Sequence, residues 1–126
     1  MKAFNNIVDG PFKDEGEFKQ AVLKVWRKRD LSESTHFEIE NEEKEPGMPD
    51  CMSISPKHVI TFTEFKISSE NGVITFKKSQ PLFYKKHENM PIVIFAWDRR
   101  YNHVVMIHPR EVVAAKSLRI KLPEDL

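Results

Sequence analysis

Apolar residues recur at helical intervals from Lys13 onward: Phe18, Ala21, Val22, Val25 and Trp26 share one stripe, and acidic residues sit in the first turn, where the positive end of the helix dipole favours them. The pattern predicts an amphipathic helix after an irregular start that turns at Asp9-Gly10-Pro11. At roughly 100° per residue, Glu15 lies about 50° from the centre of the stripe and Glu17 more than about 100° away, so Glu15 is the better inward-facing carboxylate. Farther on the period changes. His36 to Glu40 alternates as a strand, and an acidic loop follows, closed by Pro46 and Gly47. Proline pushes the residue before it out of the helical region, so Met48-Pro49 enters Asp50 extended, and Cys51 to Ser55 reads as a second strand.

Ser55-Pro56-Lys57 turns the chain into a third strand, His58 to Ser68, in which Ile60, Phe62, Glu64 and Lys66 share one parity. The turn residues Ser69-Glu70-Asn71-Gly72 predict an antiparallel hairpin between residues 58–68 and 73–76. A second helix is expected from a Ser79 cap, through Pro81 in its first turn, to about His87, with Leu82 and Phe83 packing inward. Pro91 to Trp97 is apolar throughout and rich in β-branched residues, as in a central strand covered on both faces. After the Asp98–Asn102 loop come a strand at His103–His108 and a short helix from Pro109 containing Glu111, Val112, Val113 and Ala114. Residues 116–126 hold at most one further strand. The order α-β-β-β-α-β-β describes an α/β domain with a mixed central sheet of about five strands flanked by helices.

Length and composition narrow the classes. The chain has 126 residues, enough for one domain spanning 1–126 with its own core. A single cysteine and no long apolar run predict a soluble, intracellular, cytoplasmic protein with no membrane partner. Cys51 reads as a small buried apolar residue. The five histidines show no zinc-type i, i+4 pair, and four glycines cannot assemble a phosphate-cradling loop, so no nucleotide cofactor is expected. A net charge of +1 excludes a uniformly basic nucleic-acid binder. Local basic groups remain at Arg27-Lys28-Arg29, Lys77-Lys78, Lys85-Lys86 and Arg99-Arg100, with acid segregated into Glu38–Glu45 and Glu124-Asp125. Each basic pair is either a nucleic-acid contact or a solvated face.

The residues that carry chemistry are Gly47-Met48-Pro49-Asp50 and, fourteen positions after Asp50, Glu64-Phe65-Lys66. On a strand Glu64 and Lys66 point the same way and Phe65 the other. An anion and a cation on one face suit a phosphodiesterase: carboxylate oxygens from Glu64 and Asp50 grip a hard divalent cation, and the ammonium stabilises hydroxide or the growing phosphate charge. The plainer reading is a turn-capping Asp50 and a solvated Glu64–Lys66 pair.

Pro-Asp, a spacer of about one strand plus a turn, and Glu-X-Lys resemble the PD-(D/E)XK nuclease superfamily, most of all its VRR-NUC and Holliday-junction-resolvase-like branch. Gln80, at a helix start, and Glu15, in Glu15–Val22, match two further positions of that branch, and the resemblance covers about residues 15 to 97. It implies a restriction-endonuclease-like core. It also implies Mg²⁺ or Mn²⁺ on Asp50, Glu64, the Phe65 carbonyl and Glu15, with Lys66 steering hydroxide and Gln80 orienting the water or Lys66. The expected activity is DNA endonuclease action on branched or four-way DNA by a homodimer. Cleavage of single-stranded or flapped DNA or of RNA, or binding without catalysis, stay open beside it.

Overall fold

The computed structural model describes residues 1–30, 34–39 and 44–124. In chain order the elements are β1 (Lys2–Phe4), α1 (Glu15–Asp30), β2 (Thr35–Glu38), β3 (Cys51–Ile54), β4 (Ile60–Ile67), β5 (Val73–Thr75), α2 (Ser79–Lys86), β6 (Ile92–Asp98), β7 (His103–Ile107), α3 (Pro109–Ala114) and β8 (Arg119–Lys121). Six strands form a mixed sheet in the order β1-β7-β6-β4-β3-β2, in which only β4 and β6 run parallel. β5 and β8 form a separate two-stranded ribbon.

Each face of the large sheet carries its own core. Phe65 and Trp97 point to one side, where Phe12, Phe18, Val22 and Leu23 cover them from α1 and the segment before it. Ile94, Ala96, Val105 and Ile107 point to the other, under Phe83 and Tyr84 of α2, Val112 of α3 and Ile74 and Ile120 of the ribbon. β6 contributes to both cores, as its unbroken apolar run requires. Among the described residues no helix is long and apolar enough to cross a membrane.

Leu82, expected to pack inward beside Phe83, is 61% exposed, and four further sequence expectations change. The hairpin of residues 58–68 with 73–76 does not form, although the chain does reverse there, with Ser69 N–H donating to the Val73 carbonyl (2.9 Å) and Gly72 at φ +75°. Both edges of β4 are taken, by β3 and β6, so β5 pairs with β8 instead, Ile74 facing Ile120. The large sheet has six strands rather than about five because Lys2–Phe4, too short to show a period, adds to the edge of β7. Ser79 does not cap α2: it is the first helical residue, and the cap position is Lys78 with no side-chain bond. In place of a cap, Gln80 Oε1 accepts the Lys77 N–H at 2.8 Å. Among the predicted charged residues, the Arg29 side chain, Glu40, Glu42, Glu43 and Asp125 lie outside the described residues.

The fourth change concerns Arg100, expected at a nucleic-acid surface. It forks onto fully buried Asp98 (Nε–Oδ1 3.1 Å, Nη2–Oδ2 2.9 Å) and donates to the carbonyls of Leu122 (3.1 Å) and Pro123 (3.3 Å). It therefore fastens the end of β6 to the segment after β8. Arg99 is likewise turned inward, donating to the Ser68 carbonyl at 3.2 Å with its guanidinium 5.4 Å from the centre of the Trp97 ring. Arg100→Ala should destabilise the fold by about 3 kcal/mol, because it leaves the buried Asp98 carboxylate without its charge partner and with only the backbone N–H of residue 100 (3.0 Å), and Arg100→Lys should recover only part of that because an ammonium lacks the fork. Urea unfolding checks this; a loss below about 0.5 kcal/mol would mark the pair as ordinary surface charge.

Candidate metal centre

The site arises where one strand ladder ends. β3 and β4 pair with Cys51 opposite Thr63, and antiparallel pairs advance by one residue on each strand, so Asp50 comes next, opposite Glu64. Opposed residues present side chains on the same face. The two carboxyls accordingly lie close enough to feel each other's charge. Asp50 is held from the other side as well, its carbonyl accepting the Ile39 N–H at 2.7 Å.

One step further the ladder fails. Phe62 and Ser68 N–H both donate toward β6, so the amides and carbonyls of odd-numbered residues in β4 face β3. The residue opposite Phe65 would be Pro49, which has no N–H to offer. The Phe65 carbonyl thus faces the β3 side of β4 without a ladder donor from Pro49. Gly47, at φ +87°, lets this strap lie against α2, since a Cβ there would collide with the Ser79 carbonyl.

Lys66 follows Glu64 on the same face, and both side chains are buried, each residue 4% exposed. The ammonium lies 3.9 Å from Glu15 Oε1 and 5.1 Å from the centre of the Phe76 ring. Glu17 is excluded from the site by other work. Asp14 Oδ1 accepts the Glu17 N–H (2.9 Å) and Glu17 Oε1 accepts the Lys13 N–H (3.2 Å), a reciprocal cap at the start of α1 that leaves Glu15 for Lys66.

Gln80 reaches the site from α2 and donates from Nε2 to Glu64 Oε1. Its partner is Glu64, not Lys66. The bond from Lys77 N–H to Gln80 Oε1 fixes which end of the amide faces the carboxyl. Two participants were missed in the sequence. Tyr84, one helical turn after Gln80, is 2% exposed, its hydroxyl has no hydrogen bond among the described residues, and it feels the charges of Glu64 and Asp50. The Gln-to-Tyr spacing of one turn was the available signal. Lys44 Nζ lies 3.5 Å from Asp50 Oδ1, a contact that depends on the path of the loop and left no local signal.

Of the basic residues expected at a nucleic-acid surface, Lys77, Lys78 and Lys85 are exposed, and Lys77 is near enough to Glu15 to favour its ionised form. Lys86 is bound to Glu45 at 2.8 Å.

Burial first, and then the adjacent Asp50 carboxyl, push the Glu64 carboxyl up to about 9, against the pull of Lys66. Glu15 is also raised, by burial opposed by Lys66. Burial and the two neighbouring carboxylates raise the Tyr84 phenol. A buried Glu64 carboxyl that keeps its proton beside the half-exposed Asp50 is the response of an acid to burial and to a like charge with no cation between them.

These residues fit a hard divalent cation. Glu64 Oε2 is buried without a hydrogen-bond partner, and Asp50, Glu64 and the Phe65 carbonyl offer oxygens alone. Among the described residues no set of three acidic, histidine or cysteine side chains is placed to hold a metal, so Glu15 stays with Lys66 and does not complete a third ligand. Any further ligands would come from the main chain, water and substrate. Comparison with known proteins adds no family: no family model, curated protein or solved structure matches the chain.

Native Glu64 holds a proton between its ordinary value of 4.5 and about 9, a range in which the unfolded chain has lost it. This contribution to stability is full below the lower value and fades as pH rises through the upper one. Glu64→Gln, whose amide can accept from Gln80 and donate to Asp50, should flatten that decline. Wild-type unfolding free energy should fall relative to the variant by up to about 1.4 kcal/mol per pH unit within the window. Parallel pH profiles would show that Glu64 ionises normally.

Proposed function

We propose that this chain is a divalent-metal-dependent phosphodiesterase that cleaves DNA internally, with a preference for branched or four-way structure. The observation that carries the hydrolytic reading is the convergence of Asp50 and Glu64, with an unsatisfied Glu64 oxygen, on the strand face that also bears buried Lys66. DNA as substrate, its branched form and a homodimeric enzyme rest on the resemblance to the PD-(D/E)XK superfamily.

Mg²⁺ or Mn²⁺ on Asp50, Glu64 and the Phe65 carbonyl would supply Lewis acidity, drawing charge from a phosphate oxygen and making a nearby water a stronger acid. The chain's own residues do the rest. Lys66 presents its Nζ from a buried position beside Glu15, where it would stabilise hydroxide and the oxyanion charge of the transition state. Glu15 tethers that ammonium at the mouth of the site. Gln80 occupies Glu64 Oε1 and leaves Oε2 as the oxygen available to a cation. Lys44 balances Asp50 from the loop side, a role a bound cation would take over.

A panel of linear, flapped and four-way DNA incubated with Mg²⁺ tests the reading, with binding measured separately in chelator. Asp50→Ala and Glu64→Ala should each lower the cleavage rate by about 10³-fold or more, and Lys66→Met by about 10²–10³-fold, with DNA binding preserved. Binding without cleavage on every substrate and at every Mg²⁺ or Mn²⁺ concentration would reduce the protein to a nucleic-acid-binding module. Faster cutting of linear than of branched DNA would remove the structural preference.

Lys44→Ala should tighten Mn²⁺ binding about fivefold in calorimetry, since it removes a competing attraction of about 1 kcal/mol from Asp50. Unchanged or weaker binding would show that Lys44 does not compete for that carboxylate.

A further inference from the structure

A pocket of about 270 Å³ opens between the C-terminal half of α2, the start of β6 and α3. Its apolar lining comes from Met90, Pro91, Ile92 and Val113. Two exposed cations stand on its rim. Lys85 makes no ion pair among the described residues, and Arg110 spends only its Nε and backbone N–H, on the His108 ring. The sole carboxylate in the lining is Glu88, so the rim carries an excess of positive charge.

Tyr84 is the wall that this pocket shares with the carboxylate pair: it lines the cavity, and its unpartnered, buried hydroxyl feels Glu64 and Asp50. Along α2 it lies one turn, about 6 Å, beyond Gln80, which touches Glu64. An occupant of the pocket would therefore sit next to the candidate metal centre.

We propose that the pocket binds one nucleotide, with the base on the apolar floor and the phosphate at Lys85 and Arg110. Shape and charge both select this class. The volume is at the small end for ligand sites, which suits a single flat ring and not a dinucleotide, and the rim is complementary to an anion. A phosphate alone would leave the floor unused, and an uncharged apolar ligand would leave the two cations unused. The occupant is either a free mononucleotide or an unstacked nucleotide of a strand; the second source rests on the nuclease reading.

Backbone-amide NMR of the whole chain in chelator tests this without cleavage. Titration with 5′-dAMP should shift the amides of Met90, Ile92 and Val113 with an affinity of roughly 0.1–1 mM, and inorganic phosphate should bind at least about tenfold more weakly. Val113→Trp, at a partly exposed position, should fill the cavity and weaken dAMP about tenfold or more. Lys85→Ala with Arg110→Ala should weaken it to a similar degree while leaving the fold, judged by the rest of the spectrum, unchanged.

Equal affinity for phosphate and dAMP, or no shift at these amides up to about 10 mM dAMP, would overturn the proposal. A short single strand with one abasic position distinguishes the sources. Weaker binding of the abasic strand by wild type, but not by Val113→Trp, assigns a nucleotide within a strand, and equal binding with the dAMP shifts retained assigns a free one. Asp50→Ala separates this proposal from the nuclease reading: dAMP shifts should persist in that variant whether or not wild type cleaves DNA.

Discussion

The structure turns on the point where the β3–β4 ladder stops. Up to Cys51 and Thr63 the two strands exchange backbone bonds; at Pro49 the missing N–H ends the exchange, and the strands part inside the α2 side of the sheet. The last opposed pair before the parting is Asp50 with Glu64. Had the ladder continued, the Phe65 carbonyl would have accepted a backbone N–H from position 49. A proline placed one residue before the acid therefore both aims Asp50 and frees the oxygen beside it.

Holding Glu64 buried beside a second acid carries an electrostatic cost, and the surrounding residues show how it is met. Gln80 donates to one Glu64 oxygen, Lys66 lies on the same strand face, and Lys44 approaches Asp50 from the loop. None of these removes the mutual repulsion, so Glu64 retains a proton far above the ordinary carboxylate range. A divalent cation would replace that proton and would complete Glu64 Oε2. The same arithmetic would make any cation binding dependent on pH, because the proton would have to leave as the ion enters.

Not every charge serves the site. Asp98 and Arg100 form an internal clamp that joins the end of β6 to the chain after β8, and Glu45 ties the loop before Asp50 to Lys86 of α2 and to His87 just past its end. Such pairs look like surface groups in the sequence. Arg99-Arg100 followed a strand and stood next to a loop, as a nucleic-acid contact would, and nothing local distinguished an arginine facing solvent from one facing a buried carboxylate.

What the sequence by itself determined follows from local geometry. The period of two places Glu64 and Lys66 together and Phe65 in the opposite core, the apolar run of Ile92–Trp97 demands cover on both faces, and Glu15 sits closer than Glu17 to the apolar stripe of its helix. These depend on neighbours within one element. Only the tertiary structure decided that Asp50 meets Glu64, that β5 leaves β4 for β8, that Gln80 binds Glu64 and not Lys66, and that Lys44 and Tyr84 join the site. Each of those outcomes depends on strand register, on which sheet edges are already taken, or on the path of a loop. These are relations between segments distant along the chain, and the periodicity of a single segment does not record them.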